Sequence, residues 1–156
     1  MSWNIEIAVF KNCDKDINEI VPDVFVAAEN NLFFDEAASS LMLGKLSAAK
    51  AENLIILVDT SCRLYGKIDE LALLSNSGDL YFVRVAMDEL VGAFKKGRQL
   101  TSSSFFGRIF GKRGGPVYTQ EMDGEQRAWQ FLSHYLGAKC PDKLLELKFQ
   151  AYELDM

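Results

Sequence analysis

The sequence has a single histidine, which removes most of the usual routes to acid–base and metal chemistry. A serine-protease-type triad needs histidine beside a nucleophile and a carboxylate, and Ser133 is only a sequence neighbour of His134. His134 also falls off the apolar stripe of its predicted helix, so we expect a solvated side chain. No nucleophile elbow, zinc-protease, P-loop or dinucleotide-binding pattern occurs. We therefore predict a protein that is not an enzyme and has no cofactor and no bound metal.

Cysteine is also scarce, with Cys13, Cys62 and Cys140 widely spaced and no C-x-x-C pair. Such spacing supports neither a disulfide framework nor a zinc knuckle. Cys62 lacks the arginine of the phosphatase pattern C-x₅-R, because Ile68 stands at that position. We expect all three to be structural thiols, since free cysteine is among the most buried residue types.

Long apolar runs are missing as well. Residues 54–58 form a wholly apolar run that is far shorter than the ~20 residues that span a bilayer. The first residues carry no basic n-region, and Glu6 stands where a signal peptide would be apolar. The chain of 156 residues is 49% hydrophobic and 25% charged, as in folded globular proteins. These features predict one globular domain over residues 1–156 and a cytoplasmic location.

Strands are predicted where apolar residues alternate or run continuously. Residues 3–10 alternate with period 2, and residues 54–58 resemble a central strand that is buried on both faces. Residues 23–28 are a further short candidate. We expect residues 71–74 and 80–85 to form a hairpin about the turn 76–79, although a helix over 63–75 is the alternative. Residues 145–151 alternate again and predict a last strand.

Helices are predicted where apolar residues recur at helical spacing between capping signals. Asp14 is expected to cap a short helix before Pro22, and Asn31 a longer one that ends near Gly44, with residues 47–52 as a possible continuation. A third helix is predicted from Met87 to Lys96 and a fourth after the capping box of residues 123–126. The predicted fold class is α+β (or α/β), with a mixed sheet of about five strands and three or four helices.

Asp59, Ser61 and Cys62 directly follow the predicted central strand, a position where ligands gather in open α/β sheets. Asp59 and Ser61 resemble the start of the D-x-S-x-S metal site of von Willebrand A-type domains, but Arg63 replaces the second serine. A guanidinium there would repel a cation. We therefore expect Asp59 to cap the following turn through its side chain.

The most unusual stretch lies between Glu89 and Glu121, because it contains six lysines and arginines and no acidic residue. The whole chain has a formal charge of −5, so the remainder carries −11. We expect Lys95 and Lys96 to end a helix, and residues 101–104 to start a helical turn within a basic flexible segment at 97–116. The predicted partner-binding residues are Arg98, Phe105, Phe106, Arg108, Ile109, Phe110, Lys112 and Arg113.

Several interpretations of this segment stay open. Its phenylalanines could pack onto the core, dock a protein partner or enter an anionic membrane surface. Our leading hypothesis is a non-enzymatic acidic protein-binding domain, such as an immunity-type inhibitor that neutralises a basic partner. The alternatives are a peripheral membrane protein that uses residues 105–113, or a small enzyme with a site at 59–62. The acidic balance disfavours nucleic acid. Carboxylates expected to steer a basic partner are Asp14, Asp16, Glu19, Asp23, Glu29, Asp35 and Glu36.

Overall fold

The computed structural model describes residues 4–11, 13, 15–21, 25–28, 30–39, 42–51, 54–64, 66, 68–74, 79–86, 89–95, 98–104, 123–137 and 139–154. The strands are β1 (Ile5–Lys11), β2 (Phe25–Ala27), β3 (Leu46–Ala51), β4 (Leu54–Asp59), β5 (Asp79–Val85), β6 (Glu89–Lys95), β7 (Arg98–Ser104) and β8 (Gln150–Leu154). The helices are α1 (Ile17–Ile20), α2 (Phe34–Ala37), α3 (Ile68–Leu74), α4 (Gly124–Leu136) and α5 (Cys140–Glu146).

All eight strands belong to one sheet, in the order β2-β8-β3-β4-β1-β5-β6-β7. Each described pair of neighbouring strands is antiparallel. The fold is therefore α+β, and the α/β alternative is wrong because α/β sheets are built from parallel strands joined by helices. The expected mixed sheet is also wrong, because every described strand pair is antiparallel, and the sheet has more strands than the five we expected.

Both faces of the sheet are covered. On β1, Ile7 and Val9 point to what we call the first face, which packs against α2, α4 and α5. Ala8 and Phe10 point to the second face, which packs against α1 and α3. Successive side chains of a strand point to opposite sides, so a central strand with helices on both sides must be apolar at nearly every position.

The strongest local signals were correct. The alternation near the N-terminus is β1, and the apolar run at 54–58 is β4, a central strand with Ile55 and Val58 fully buried. At the start of α4, the Asp123 carboxylate accepts from the Gln126 N–H at 2.8 Å, and the Gln126 side chain accepts from the Asp123 N–H at 2.9 Å. The helix ends at Gly137, whose φ of 103° is accessible to glycine at little cost.

The predicted helix from Met87 to Lys96 is wrong, because Glu89–Lys95 is strand β6. Val91 and Ala93 face the first side of the sheet, and Phe94 faces the second. A strand that is buried on both faces has no visible alternation, so its apolar residues matched a helical spacing by coincidence. Lys95 is therefore the last residue of a strand and not a helix C-terminal residue.

Other local predictions were also corrected by the structure. The segment expected to form the first arm of a hairpin is helix α3, although β5 was correctly placed. Asn31 does not cap a long helix: its φ is +59°, and α2 spans only Phe34–Ala37. Residues 47–52 continue no helix, since Leu46–Ala51 is β3. The N-cap of α1 is Asp16, not Asp14. Leu145 belongs to α5, and the last strand begins only at Gln150.

Candidate functional site

Asp59 ends β4 and organises the turn that follows it. Its carboxylate is 1% exposed and accepts from the N–H of Ser61 and of Arg63, each at 2.9 Å. The Arg63 guanidinium donates to the same carboxylate through Nε and Nη2, each at 3.1 Å. The expected capping role is therefore confirmed, and the Arg63 guanidinium lies against the same carboxylate.

A second buried carboxylate lies in the next strand. Glu6 on β1 is paired in register with Asp59 on β4 and with Arg84 on β5, so the three residues form one row on the second face. Glu6 accepts from the Leu64 N–H at 2.6 Å, and its other oxygen is 3.6 Å from Arg84 Nε. Two carboxylates thus meet two guanidiniums, and the row ties the 60–64 turn to the centre of the sheet.

The remaining candidates of the possible enzyme site have local contacts of their own. The Ser61 hydroxyl accepts from the Gly44 N–H at 2.7 Å, and the Thr60 hydroxyl donates to the Met42 carbonyl at 2.9 Å. Cys62 is half-buried with φ +53°. Neither Cys62 nor the buried Cys13 forms a disulfide within the described part of the chain. His134 is exposed on α4, as we expected. Its ring contacts the Tyr135 ring edge-on.

The predicted partner-binding segment begins in β7, the last of the described strands in the sheet order. Arg98 is the first residue of β7, and residues 101–104, expected to start a helical turn, complete this strand. In register, Arg98 pairs with Lys95 at the end of β6, and the pairing is irregular between Ala93 and Phe94. The structure describes residues 98–104 of this segment. The other predicted contact residues lie outside the described residues, namely Phe105, Phe106, Arg108, Ile109, Phe110, Lys112 and Arg113.

The carboxylates expected to steer a partner are not gathered into one surface. Asp16 and Glu19 belong to α1 on the second face, whereas Asp35 and Glu36 belong to α2 on the first face. All four are exposed. Asp16 pairs with Lys50 at 3.3 Å, and Glu19 and Glu36 each accept from the N-cap N–H of their own helix. Asp14, Asp23 and Glu29 lie outside the described residues.

Sequence reasoning missed an apolar pocket of about 320 Å³ on the first face, at the end of the sheet where β1 finishes. Its walls come from β1, β3, β4, the end of α4 and α5. The lining residues are Val9, Ala51, Leu54, Leu136, Lys143, Leu144, Glu146 and Leu147. These residues are dispersed over the chain and carry no motif. The only local signal is the run of small residues on β3.

Polar and aromatic groups lie beside this pocket. Lys11 follows Val9 on the same face of β1 and donates to the Tyr135 carbonyl at 3.4 Å, next to Leu136. The ring of Tyr135 stacks on that of Tyr81 with 4.8 Å between the centroids. Burial, and then the Asp79 carboxylate 3.3 Å from the phenol oxygen, raise the pKa of Tyr81 to about 12. Burial also raises the pKa of Tyr135.

Comparisons with known proteins give no further constraint, since no family model, no curated protein and no solved structure matches the chain. Within the described part of the chain, no three His, Cys, Asp or Glu side chains are placed to hold a metal ion. No described helix is both long and apolar enough to cross a membrane.

Proposed function

We propose that the protein is a non-enzymatic protein-binding domain whose contact element is the β7 edge of the sheet together with the basic, aromatic residues that follow it. The observation that carries the proposal is the place of β7. It is the last strand in the sheet order, it starts at Arg98, and the chain runs directly from Ser104 into residues 105–113.

An edge strand can bind a partner because its backbone has hydrogen-bonding groups on the side that faces away from the sheet. Among the described strands, β7 pairs only with β6. Its seven residues are enough for several added hydrogen bonds, whereas β2 at the opposite edge has three. The irregular pairing near Phe94 limits the regular part of this edge to the second half of β7.

Aromatic and arginine side chains dominate the binding energy of most protein interfaces. Residues 105–113 supply three phenylalanines, two arginines and one lysine directly after this edge. Backbone pairing along β7 would therefore fix the orientation of a partner, and these side chains would supply affinity. The Asp59 turn supports a binding rather than a catalytic function, because its carboxylate is used to hold Arg63 and two backbone N–H groups.

As a finer proposal, the domain acts in the cytoplasm as an inhibitor of a basic partner, in the manner of an immunity protein. The net charge of −5 supports this choice. The exposed carboxylates of α1 and α2 lie on opposite faces, so they would attract a cationic partner from a distance rather than form one contact patch. The association rate with that partner is expected to fall steeply as salt is added.

Site-specific photo-cross-linking tests the contact surface. A photoreactive residue at position 102 or 106 is expected to capture a protein partner in the native host. The matched control carries it at Asp142, which is exposed on α5. Equal capture from position 142, or no capture from 102 and 106, would contradict the proposal. Arg98→Glu should abolish capture, whereas Lys139→Glu, an equal charge reversal at an exposed lysine beside α5, should leave it unchanged.

The same residues 105–113 are the basis of the alternative, attachment to an anionic membrane surface. Sedimentation with anionic vesicles distinguishes the two functions. The protein-binding proposal predicts that neither the natural chain nor the Phe105→Ser/Phe106→Ser variant is carried into the pellet. Pelleting of the natural chain that this double substitution removes would favour the membrane function instead.

A further inference from the structure

The pocket on the first face exists because β3 has small side chains there. Ser47 and Ala49 face the helices, and Ala51 follows them on the same side of the strand into the pocket. A strand of larger residues would fill this space beneath α5. The pocket of about 320 Å³ is open to solvent, so an apolar ligand that enters it would replace water at an aliphatic wall.

The walls specify the chemistry of an occupant. Six of the eight lining residues are aliphatic, and they include the buried Val9 and Leu144. The two charged lining residues, Lys143 and Glu146, are exposed residues of α5 at the rim. A mainly aliphatic wall with two charged residues of α5 beside it is an arrangement that can bind an aliphatic chain with a polar head.

Charge at the rim favours an anionic head. Within the described part of the chain, no carboxylate lies within ion-pair distance of the Lys143 ammonium. Lys11 adds a second positive charge beside the pocket. It is the next residue after Val9 on the same face of β1, and it donates to the Tyr135 carbonyl. Glu146 is the one carboxylate among the described lining residues, and Lys11 is opposed by Asp79, its register partner on β5, so the lining residue Lys143 is the group we assign to an anionic head.

The volume sets the length of the chain. A pocket of about 320 Å³ lies at the small end of the roughly 300–1,000 Å³ range of ligand sites, which favours a short chain over a long-chain lipid. We propose that this pocket binds a medium-chain aliphatic carboxylate, with its chain between β1, β3, β4 and α5 and its head group at Lys143. Octanoate, with eight carbons and two oxygens, matches this size.

Methyl resonances of isotope-labelled protein, titrated with octanoate, test the proposal directly. Shifts are expected in the methyl groups of Leu54, Leu136 and Leu144, while those of Leu73, which is exposed on α3 across the sheet, should not move. Affinity should rise about fourfold for each methylene from butanoate to octanoate, since burial of one CH₂ contributes about that factor. Absence of saturable shifts with octanoate would overturn the proposal.

Two variants separate the chain site from the head-group site. Ala51→Leu fills the pocket and should lower octanoate affinity at least tenfold, whereas Ala27→Leu, the same change on the exposed edge strand β2, should leave it unchanged. Lys143→Gln should weaken octanoate binding about two- to fivefold, the range of an exposed ion pair, and Lys139→Gln should not. Octylamine that binds as tightly as octanoate would overturn the assignment of an anionic head. Retained melting temperatures show that each variant is folded.

Discussion

Replacement of Asp59 by alanine is the most informative perturbation of this fold. The carboxylate is buried and accepts four hydrogen bonds, two from backbone N–H groups and two from the Arg63 guanidinium. If the residue holds the turn after β4, its loss must lower the free energy of unfolding. If it is instead kept for chemistry, removal should have little effect on stability or even increase it.

The size of the expected stability loss depends on which hydrogen-bond partners of Asp59 can be hydrated after the substitution. The Arg63 side chain is 32% exposed, so its guanidinium regains hydration when Asp59 is removed. The N–H groups of Ser61 and Arg63 are part-buried and lose a charged acceptor, which costs about 1.5–3 kcal/mol each before water enters. We expect a total loss of about 3 kcal/mol. Arg63→Ala should lower the free energy of unfolding by only about 1.5 kcal/mol, because Asp59 keeps both backbone donors. The substitution removes the ion pair and the contact of the guanidinium with the Phe25 ring.

Urea unfolding followed by circular dichroism measures these differences, with unchanged m-values as the condition for comparing them. The matched control is Asp16→Ala, which removes an exposed aspartate with one ion pair and should cost less than about 0.5 kcal/mol. In the double variant Asp59→Ala/Arg63→Ala, most of the Arg63 effect should vanish, which gives a coupling of about 1 kcal/mol. A cost of Asp59→Ala no greater than that of Asp16→Ala would refute the reasoning.

Two further predictions concern the first face. Because the pKa of Tyr81 is raised, the folded state keeps the phenol proton above pH 10, where the unfolded chain loses it. The stability that results is present below pH 10 and is lost as the pH rises towards 12. The free energy of unfolding should fall by at most about 1.4 kcal/mol per pH unit in this window. In an ultraviolet absorbance titration, Asp79→Asn should lower this pKa only in part, since burial is the larger cause; an unchanged pKa would exclude a contribution from Asp79. Asp123→Ala removes the capping hydrogen bond of α4 and should lower the free energy of unfolding in urea by about 1 kcal/mol. The control Asp142→Ala, in the first turn of α5 with no such bond described, should cost clearly less. Equal costs would contradict a capping role.

The parts of the fold that the sequence predicted correctly are those in which a local signal has one meaning. The capping box of Asp123 and Gln126 forms within four residues and starts a helix wherever the chain goes. The alternation around Ile7 likewise specifies an extended strand. The segment at Val91 was misjudged because a strand buried on both faces and a short buried helix share one apolar pattern.

The candidate sites divide in the same way. Asp59 and its turn could be predicted, because an aspartate bonds to backbone groups two to four residues ahead of it. Glu6 could not, because its contacts to Leu64 and Arg84 depend on which strands flank β1. The pocket was equally hidden, since Ala51 and Leu144 are far apart in sequence and meet only when α5 folds over the sheet.

Thus the sequence alone determined the composition of the core, the central strands β1 and β4, the helix α4, and the concentration of positive charge after Glu89. Tertiary structure decided that the eight described strands form one antiparallel sheet, that Arg98 starts the last of these strands in the sheet order, and that the carboxylates of α1 and α2 lie on opposite faces. The physical reason is range. Caps and turns are satisfied by neighbours in sequence, whereas strand partners and cavity walls come from distant segments whose meeting no local pattern encodes.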